Sequence, residues 1–221
     1  MSTRGEQTKS AIIDAALDLF EEVGFEATTM RAIAKRADVS VGNAYYYFDS
    51  KDQLIQGFYD RAAERHLAVS TERLDGVTDL AARIHAHLDS WFEIMGDYHE
   101  FAASFFRTAA DPASPLSPFS KESEPARDAA IRRWSDVIAG ADTTLPERVA
   151  SELPDALWLY QMGLVMFWVH DRSADQIATR MLTARTVPIV VKALGLVEVP
   201  ELTSLIDDLI SLMDDARTAL G

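Results

Sequence analysis

The run Val39–Phe48, VSVGNAYYYF, places an amide, three phenols and a phenyl ring within residues 43–48. An asparagine amide can pair with base edges. A tyrosine hydroxyl can bond a phosphate oxygen, and its ring can lie against a thymine methyl or a sugar. Set on a helix over Val41–Tyr47, Ala44 and Phe48 fall four apart and face inward. Gly42, Asn43 and Tyr46 then share another face, with Tyr47 at its border. Small and polar groups at the N-terminal end let such a helix approach a surface closely, and a DNA major groove admits one. Between Thr28 and Phe48, Arg31, Lys35 and Arg36 stand against Asp38 alone, a locally basic stretch in a chain of net charge −14. A helical hairpin packed into its own domain would use the same rings as core, so residue types alone leave both readings open.

The elements that must carry these residues read as helices throughout. Ile13, Ala16, Leu17, Phe20 and Val23 recur at three- and four-residue steps, which predicts a helix over Thr8–Val23, closed by Gly24 in the left-handed region. Thr28 or Thr29 caps the next helix, whose inner face is Met30, Ile33, Ala34 and Ala37. Ser40 caps Val41–Tyr47 after a turn too short for anything but a helix-turn-helix. SKDQ at Ser50–Gln53 is a capping box and opens a helix to about Arg73. Further helices are expected near Val77–Met95, Tyr98–Ala110, Pro125–Ile138, Pro146–Asp171, Ala174–Leu194 and Pro200–Leu220. Asp111–Ser123, with three prolines, reads as a mobile surface loop. No internal repeat is evident and no strand pattern appears.

The segment TTMRAIAKRADVSVGNAYYYFDSKDQL (Thr28–Leu54), with AIIDAALDLFEEVGFEATTM before it, resembles the DNA-binding region of TetR-like transcriptional regulators, the tetracycline-repressor family. The likeness covers about residues 8–60. It implies an all-α fold: a three-helix helix-turn-helix domain over 1–53, then a larger helical ligand-binding and dimerisation domain over 54–221. It further implies that Thr29 and Arg31 meet DNA at the start of the second helix. Val41, Gly42, Asn43 and Tyr46 would lie in the groove, and Tyr47 and Lys51 would hold phosphates. Tyr45 would pack, bind phosphate, or both. This chain has Asp38 where the family commonly has glycine, in a turn that often needs positive φ, at some cost for an aspartate.

The remainder matches the family only in length, helicity and apolar content. PDALWLYQMGLVMFWVH (Pro154–His170) is apolar almost all round and must be covered on several sides. It and the following helix are expected to form a dimer surface, with Gly163, Phe167, Met181, Val187 and Val191 as candidates. A monomeric core is the other use of the same residues. The resemblance also implies a small, apolar effector in the helical domain, with Trp91, Met95, Phe105 and Trp158 as candidate lining. The implied partners are a double-stranded DNA operator, that effector and a second copy of the chain.

Composition narrows the remaining classes. There is no cysteine, hence no disulfide or thiolate chemistry. The most apolar stretch, Ala156–Val169, holds Gln161 and is too short to span a bilayer, and the polar N-terminus lacks the apolar run of a signal peptide. A cytoplasmic protein without membrane contact is expected. Residues 1–65 hold eight Lys/Arg against eleven Asp/Glu, and the remainder thirteen against twenty-four. That balance opposes indiscriminate nucleic-acid binding. His85 and Asp89 are four apart with no third ligand, and no phosphate loop or nucleophile elbow is present. No metal, cofactor or catalysis is expected. An all-α small-molecule-binding protein or enzyme that does not bind DNA, or a helix-turn-helix that contacts protein, would lack operator binding.

Overall fold

Local capping sets the first four helices. The structure is a computed structural model that describes residues 3–196 and, beyond them, 208, 210–212, 215 and 218. Helix α1 (Thr3–Val23) begins before the expected Thr8. It buries Ile12, Ile13, Ala16, Leu17 and Phe20, while Val23, expected on the same face, lies exposed at its end. Gly24 follows at φ +87°, its N–H donating to Phe20 O at 3.0 Å. The two threonines divide the work that either could do. Thr28 is buried and its hydroxyl donates to Gly24 O and Leu19 O. Thr29 Oγ1 accepts from Ala32 N and caps α2 (Met30–Arg36).

Helix α2 ends in a Schellman motif. Asp38 N–H donates to Lys35 O, Val39 N–H donates to Ala34 O, and Asp38 holds φ at +55°. Ser40 Oγ accepts from Asn43 N at 3.0 Å and starts α3 (Val41–Tyr47), which has the expected limits. Ser50 Oγ accepts from Gln53 N to start α4 (Lys51–Leu74). The return arm of the capping box lands one residue early, Gln53 Oε1 accepting from Asp49 N.

The later helices are α5 (Leu80–Gly96), α6 (His99–Ala109), α7 (Glu124–Ala139), α8 (Glu147–His170) and α9 (Ile177–Leu194), the last entered through a short 3-10 turn at Ala174–Gln176. No strand occurs among the described residues. The helix expected over Pro200–Leu220 lies outside the described residues save for scattered positions.

Packing groups the chain into two units, Met1–Val69 with Trp91–Ala130, and Ser70–Ser90 with Ile131–Gly221. Residue 53 falls inside the first of these units. The reason is aromatic: Phe101 on α6 stacks on Phe20 of α1 at 6.1 Å and on Phe105 at 5.3 Å, and meets Phe58 of α4 edge-on at 5.9 Å. That cluster joins residues distant in sequence to the first helices. The second unit is built on Ile84, Leu88, Trp134, Val137, Leu157, Leu164, Trp168 and Val187. Gln161, within the apolar stretch, is buried, and its Oε1 accepts from Trp134 Nε1 at 3.0 Å, so that acceptor is not left unmet in the core. Arg83 is buried as well. Its guanidinium donates to Leu74 O at the end of α4 and Val77 O just beyond it, and to Asp136 O and Val137 O in the last turn of α7. Two negative helix ends thereby face one cation.

The proline-bearing loop proves to be a ladder. Asp111-Pro-Ala-Ser114, Ser114-Pro-Leu-Ser117 and Ser117-Pro-Phe-Ser120 are three successive β-turns sharing their end residues, each with proline second. Each fourth residue's N–H donates to the first residue's carbonyl, and each third N–H donates to the first residue's side-chain oxygen. Leu116 is buried beneath it, and Arg127 donates to Pro118 O and Ser120 O from α7.

Candidate nucleic-acid interface

Of the four neighbouring rings, only Phe48 enters the core, at 3% exposure, together with Ala44. Tyr46 is 81% exposed, Tyr45 is exposed and Tyr47 half-buried. The Tyr46 and Tyr47 rings meet edge to face at 5.1 Å, which holds an otherwise free phenol upright. Val41 and Gly42 are exposed and Asn43 is half-buried, its backbone N–H engaged by Ser40. A Cβ added to Gly42 would meet nothing within 4 Å. The fold itself does not need a glycine there.

Thr29, Arg31, Ala32, Lys35 and Asp38–Val41 line a shallow depression beside α3. Arg31 and Lys35 stand exposed at its rim. Arg36 is drawn away from it: its guanidinium makes a two-pronged bond to Glu22 at 3.0 and 2.6 Å, with Asp18 at 3.7 Å. That hydrogen bond, helped by the charge, holds the Glu22 carboxyl below its ordinary range. Lys51 is half-buried and its ammonium is engaged by the turn after α1. Thr29, Arg31, Val41, Gly42, Asn43 and the three tyrosines thus form one continuous edge of α2 and α3, and Lys51 points to a neighbouring turn.

The effector candidates are not brought together in one packing unit. Phe105 is buried in the α1–α6 ring cluster, and Met95 and half-buried Trp91 belong to the same unit. Trp158 is buried in the other unit. Among the dimer candidates, Gly163, Phe167 and Met181 are exposed, the last two at 43% and 50%. Val187, at 0% exposure, lies in the subunit's own core. Val191 is half-buried and helps line a cavity of about 470 Å³ with Thr78, Asp142, Thr144, Pro146 and Leu194. Leu159 and Met166 on α8 and Ile189 on α9, which sequence reading did not single out, are exposed too, as is Ile177. Helical phase could have found the α8 pair. Leu157, Gln161, Leu164 and Trp168 mark the inner side, so Leu159, Gly163, Met166 and Phe167 must turn outward.

Asp171 fixes the corner between α8 and α9. Its Oδ1 accepts from Ser173 N and Oγ, and its Oδ2 from Thr179 N and Oγ1 at 2.8 and 2.7 Å. Ser173 Oγ also accepts from Ala178 N. These two residues cap α9, because Asp175 and Gln176 immediately before it are both left-handed, at φ +51° and +50°. Burial alone would raise the Asp171 carboxyl; the four hydrogen bonds outweigh it and hold the group at about 2. Among the described residues no three His, Cys, Asp or Glu stand together as a metal-holding group.

Two family models match the chain. Bacterial regulatory proteins, tetR family, covers residues 12–57, and the tetracyclin repressor-like C-terminal domain covers residues 83–212. Among curated relatives, the HTH-type transcriptional regulator UidR of Escherichia coli is 38% identical over 77 residues, which is 35% of this chain and 39% of UidR. The HTH-type transcriptional repressor KstR of Mycolicibacterium smegmatis is 41% identical over 76 residues, 34% of this chain and 33% of KstR. The matches thus span about two-fifths or less of those relatives. Of solved structures, a TetR regulator from Nitrosomonas europaea aligns at TM-score 0.65 and 22% identity, covering 82% of this chain and 96% of that one. FadR of Bacillus subtilis, solved with stearoyl-CoA, aligns at 0.62 and 16% identity over 80% of this chain and 96% of its own. These last two are likenesses of fold.

Proposed function

The chain belongs to the tetR family of bacterial regulatory proteins, and on that premise we propose that α3 reads a palindromic operator in the DNA major groove, as a dimer, to repress transcription. A small apolar effector releases it. The carrying observation is that α3 keeps Ala44 and Phe48 for the core and leaves Val41, Gly42, Tyr45 and Tyr46 open. A helix needed only for packing has no reason to expose two tyrosines beside a glycine with free space around it. Arg31 and Lys35 supply positive charge at the flank of an otherwise acidic molecule, which favours specific over indiscriminate contact.

Two reading helices are needed because one such helix has a small footprint and a two-fold pair reads half-sites about one DNA turn apart. The exposed apolar stripes of α8 and α9 are the surface proposed to join the copies. Effector and operator are linked: a ligand that prefers the released arrangement must weaken DNA binding, and DNA must weaken ligand binding by the same factor. FadR of Bacillus subtilis, a likeness of fold, was solved in complex with stearoyl-CoA, and that supports an effector with an apolar part. The proposed role involves no catalysis, and its site is the cytoplasm. No helix of the described residues is long and apolar enough to cross a membrane.

The test is selection of bound fragments from a genomic library with the purified full chain, followed by titration of the recovered duplex across a salt series. Enrichment of a palindromic sequence, with affinity falling steeply as salt rises, is the expected result. Recovery of no common sequence would leave the DNA-free alternatives.

A further inference from the structure

We propose that Lys51 is a positioning residue that grips the turn after α1 through Phe25 and so fixes the exit of α3, rather than a phosphate contact; this rests on the operator-reading role above. Lys51 is the first residue of α4, where a cation opposes the helix dipole. Its side chain leaves that unfavourable place. Nζ donates to Phe25 O at 2.5 Å and to Glu26 O at 3.3 Å, and it sits 4.5 Å from the centre of the Phe25 ring. Those carbonyls lie just past the C-terminal end of α1, where partial negative charge accumulates. Two of the three ammonium N–H groups and the cation–π contact are thus committed to this turn.

The grip has a third participant. The Phe25 ring also packs against Phe20 of α1 at 4.9 Å and meets Phe105 of α6 edge-on at 5.5 Å. Phe25 therefore touches α1, α4 and α6 at once, and only Phe48–Ser50 separate Lys51 from α3. A shift of Phe105 moves the ring that holds Lys51, and with it the residue that anchors the end of the reading helix. This gives α6 a route to the operator edge that does not pass along α4.

The experiment compares the full-length wild type with Lys51→Met, Phe25→Leu, Lys51→Arg and the Lys51→Met/Phe25→Leu double variant, each checked for helix content and melting. Affinity is measured on the selected operator and on a random duplex across a salt series. The expected result is a fall in operator affinity of roughly 3- to 30-fold for each single variant. Random-duplex affinity and salt slope stay unchanged, and the double variant is no worse than the weaker single one, since both remove one contact. Lys51→Arg, which can still donate to both carbonyls, keeps near-wild-type affinity, and it and Phe25→Leu decide the matter if Lys51→Met does not fold. The proposal is overturned if Lys51→Met weakens both duplexes alike and flattens the salt slope by about 0.9 per subunit while Phe25→Leu binds normally. It is equally overturned if no variant changes affinity. A wild type that fails to prefer the operator removes the operator-reading premise itself, a result visible before any variant is examined.

Discussion

Asp38 carries backbone strain that a single change can relieve. At φ +55° its Cβ crowds the following carbonyl, and glycine would not. Asp38→Gly is expected to raise stability by up to about 1 kcal/mol, read as a higher urea midpoint at unchanged slope; a lower midpoint would refute it. The position was legible beforehand because the family that the segment resembles commonly has glycine there, in a turn that often needs positive φ. Which threonine caps α2 was not legible. Either hydroxyl could do it, and the nearness of Gly24 O and Leu19 O decides that Thr28 is occupied. Lys51 was also opaque, since its partners are 26 and 25 residues away. The residues proposed to read DNA differ in kind from these. Asn43→Ala and Tyr46→Ala should each lower operator affinity, Asn43→Ala by about 1–3 kcal/mol if the amide pairs with a base edge, with dimer content unchanged. Normal operator affinity in both variants would remove them from the interface.

Among the elements, the corner between α8 and α9 depends on one carboxylate. The Asp171 carboxyl stands at about 2 in the folded chain against an ordinary 3.8. A lowered value means that the folded state favours the charged form. Its stabilisation is therefore complete above roughly pH 4 and is lost as pH falls through about 2. Asp171→Asn should cost about 1–2 kcal/mol at neutral pH, and the gap to wild type should close as the solution is acidified toward pH 2. A gap that stays constant with pH would assign the loss to shape instead of charge. The corner could not be foreseen, because Asp171 and Thr179 are brought together by two left-handed residues whose types, Asp and Gln, give weak warning. Arg83 makes a second such joint. Gly140 lies against its guanidinium, so that any Cβ there would strike it. A long side chain usually swings aside, but this one is held by four carbonyls. Gly140→Ala is expected to lower stability by about 1–3 kcal/mol, measured by thermal melting, and an unchanged melt would show that the clamp yields.

At the scale of the molecule, the helices α1 to α9 were readable because apolar residues recur along them at helical spacing. The packing units were not, because no local pattern reveals that α6 rings join α1. Val187 shows the same limit: α9 carries apolar residues on both sides, and only the folded chain says which side is inward. The outward stripe supports one further prediction. Phe167→Glu should leave a folded chain that sediments as a monomer and binds the operator weakly, because two joined readers gain what one cannot. A variant that remains dimeric would move the interface elsewhere. The prolines between α6 and α7 carry a last consequence. Exposed irregular segments are where proteases commonly nick a chain, and residues 110–123 are the longest such piece among those described. Three interlocked turns deny a protease the extended stretch that it must draw into its cleft. This span should survive limited digestion about as well as the helices beside it, and it would be a poor place to splice in a tag.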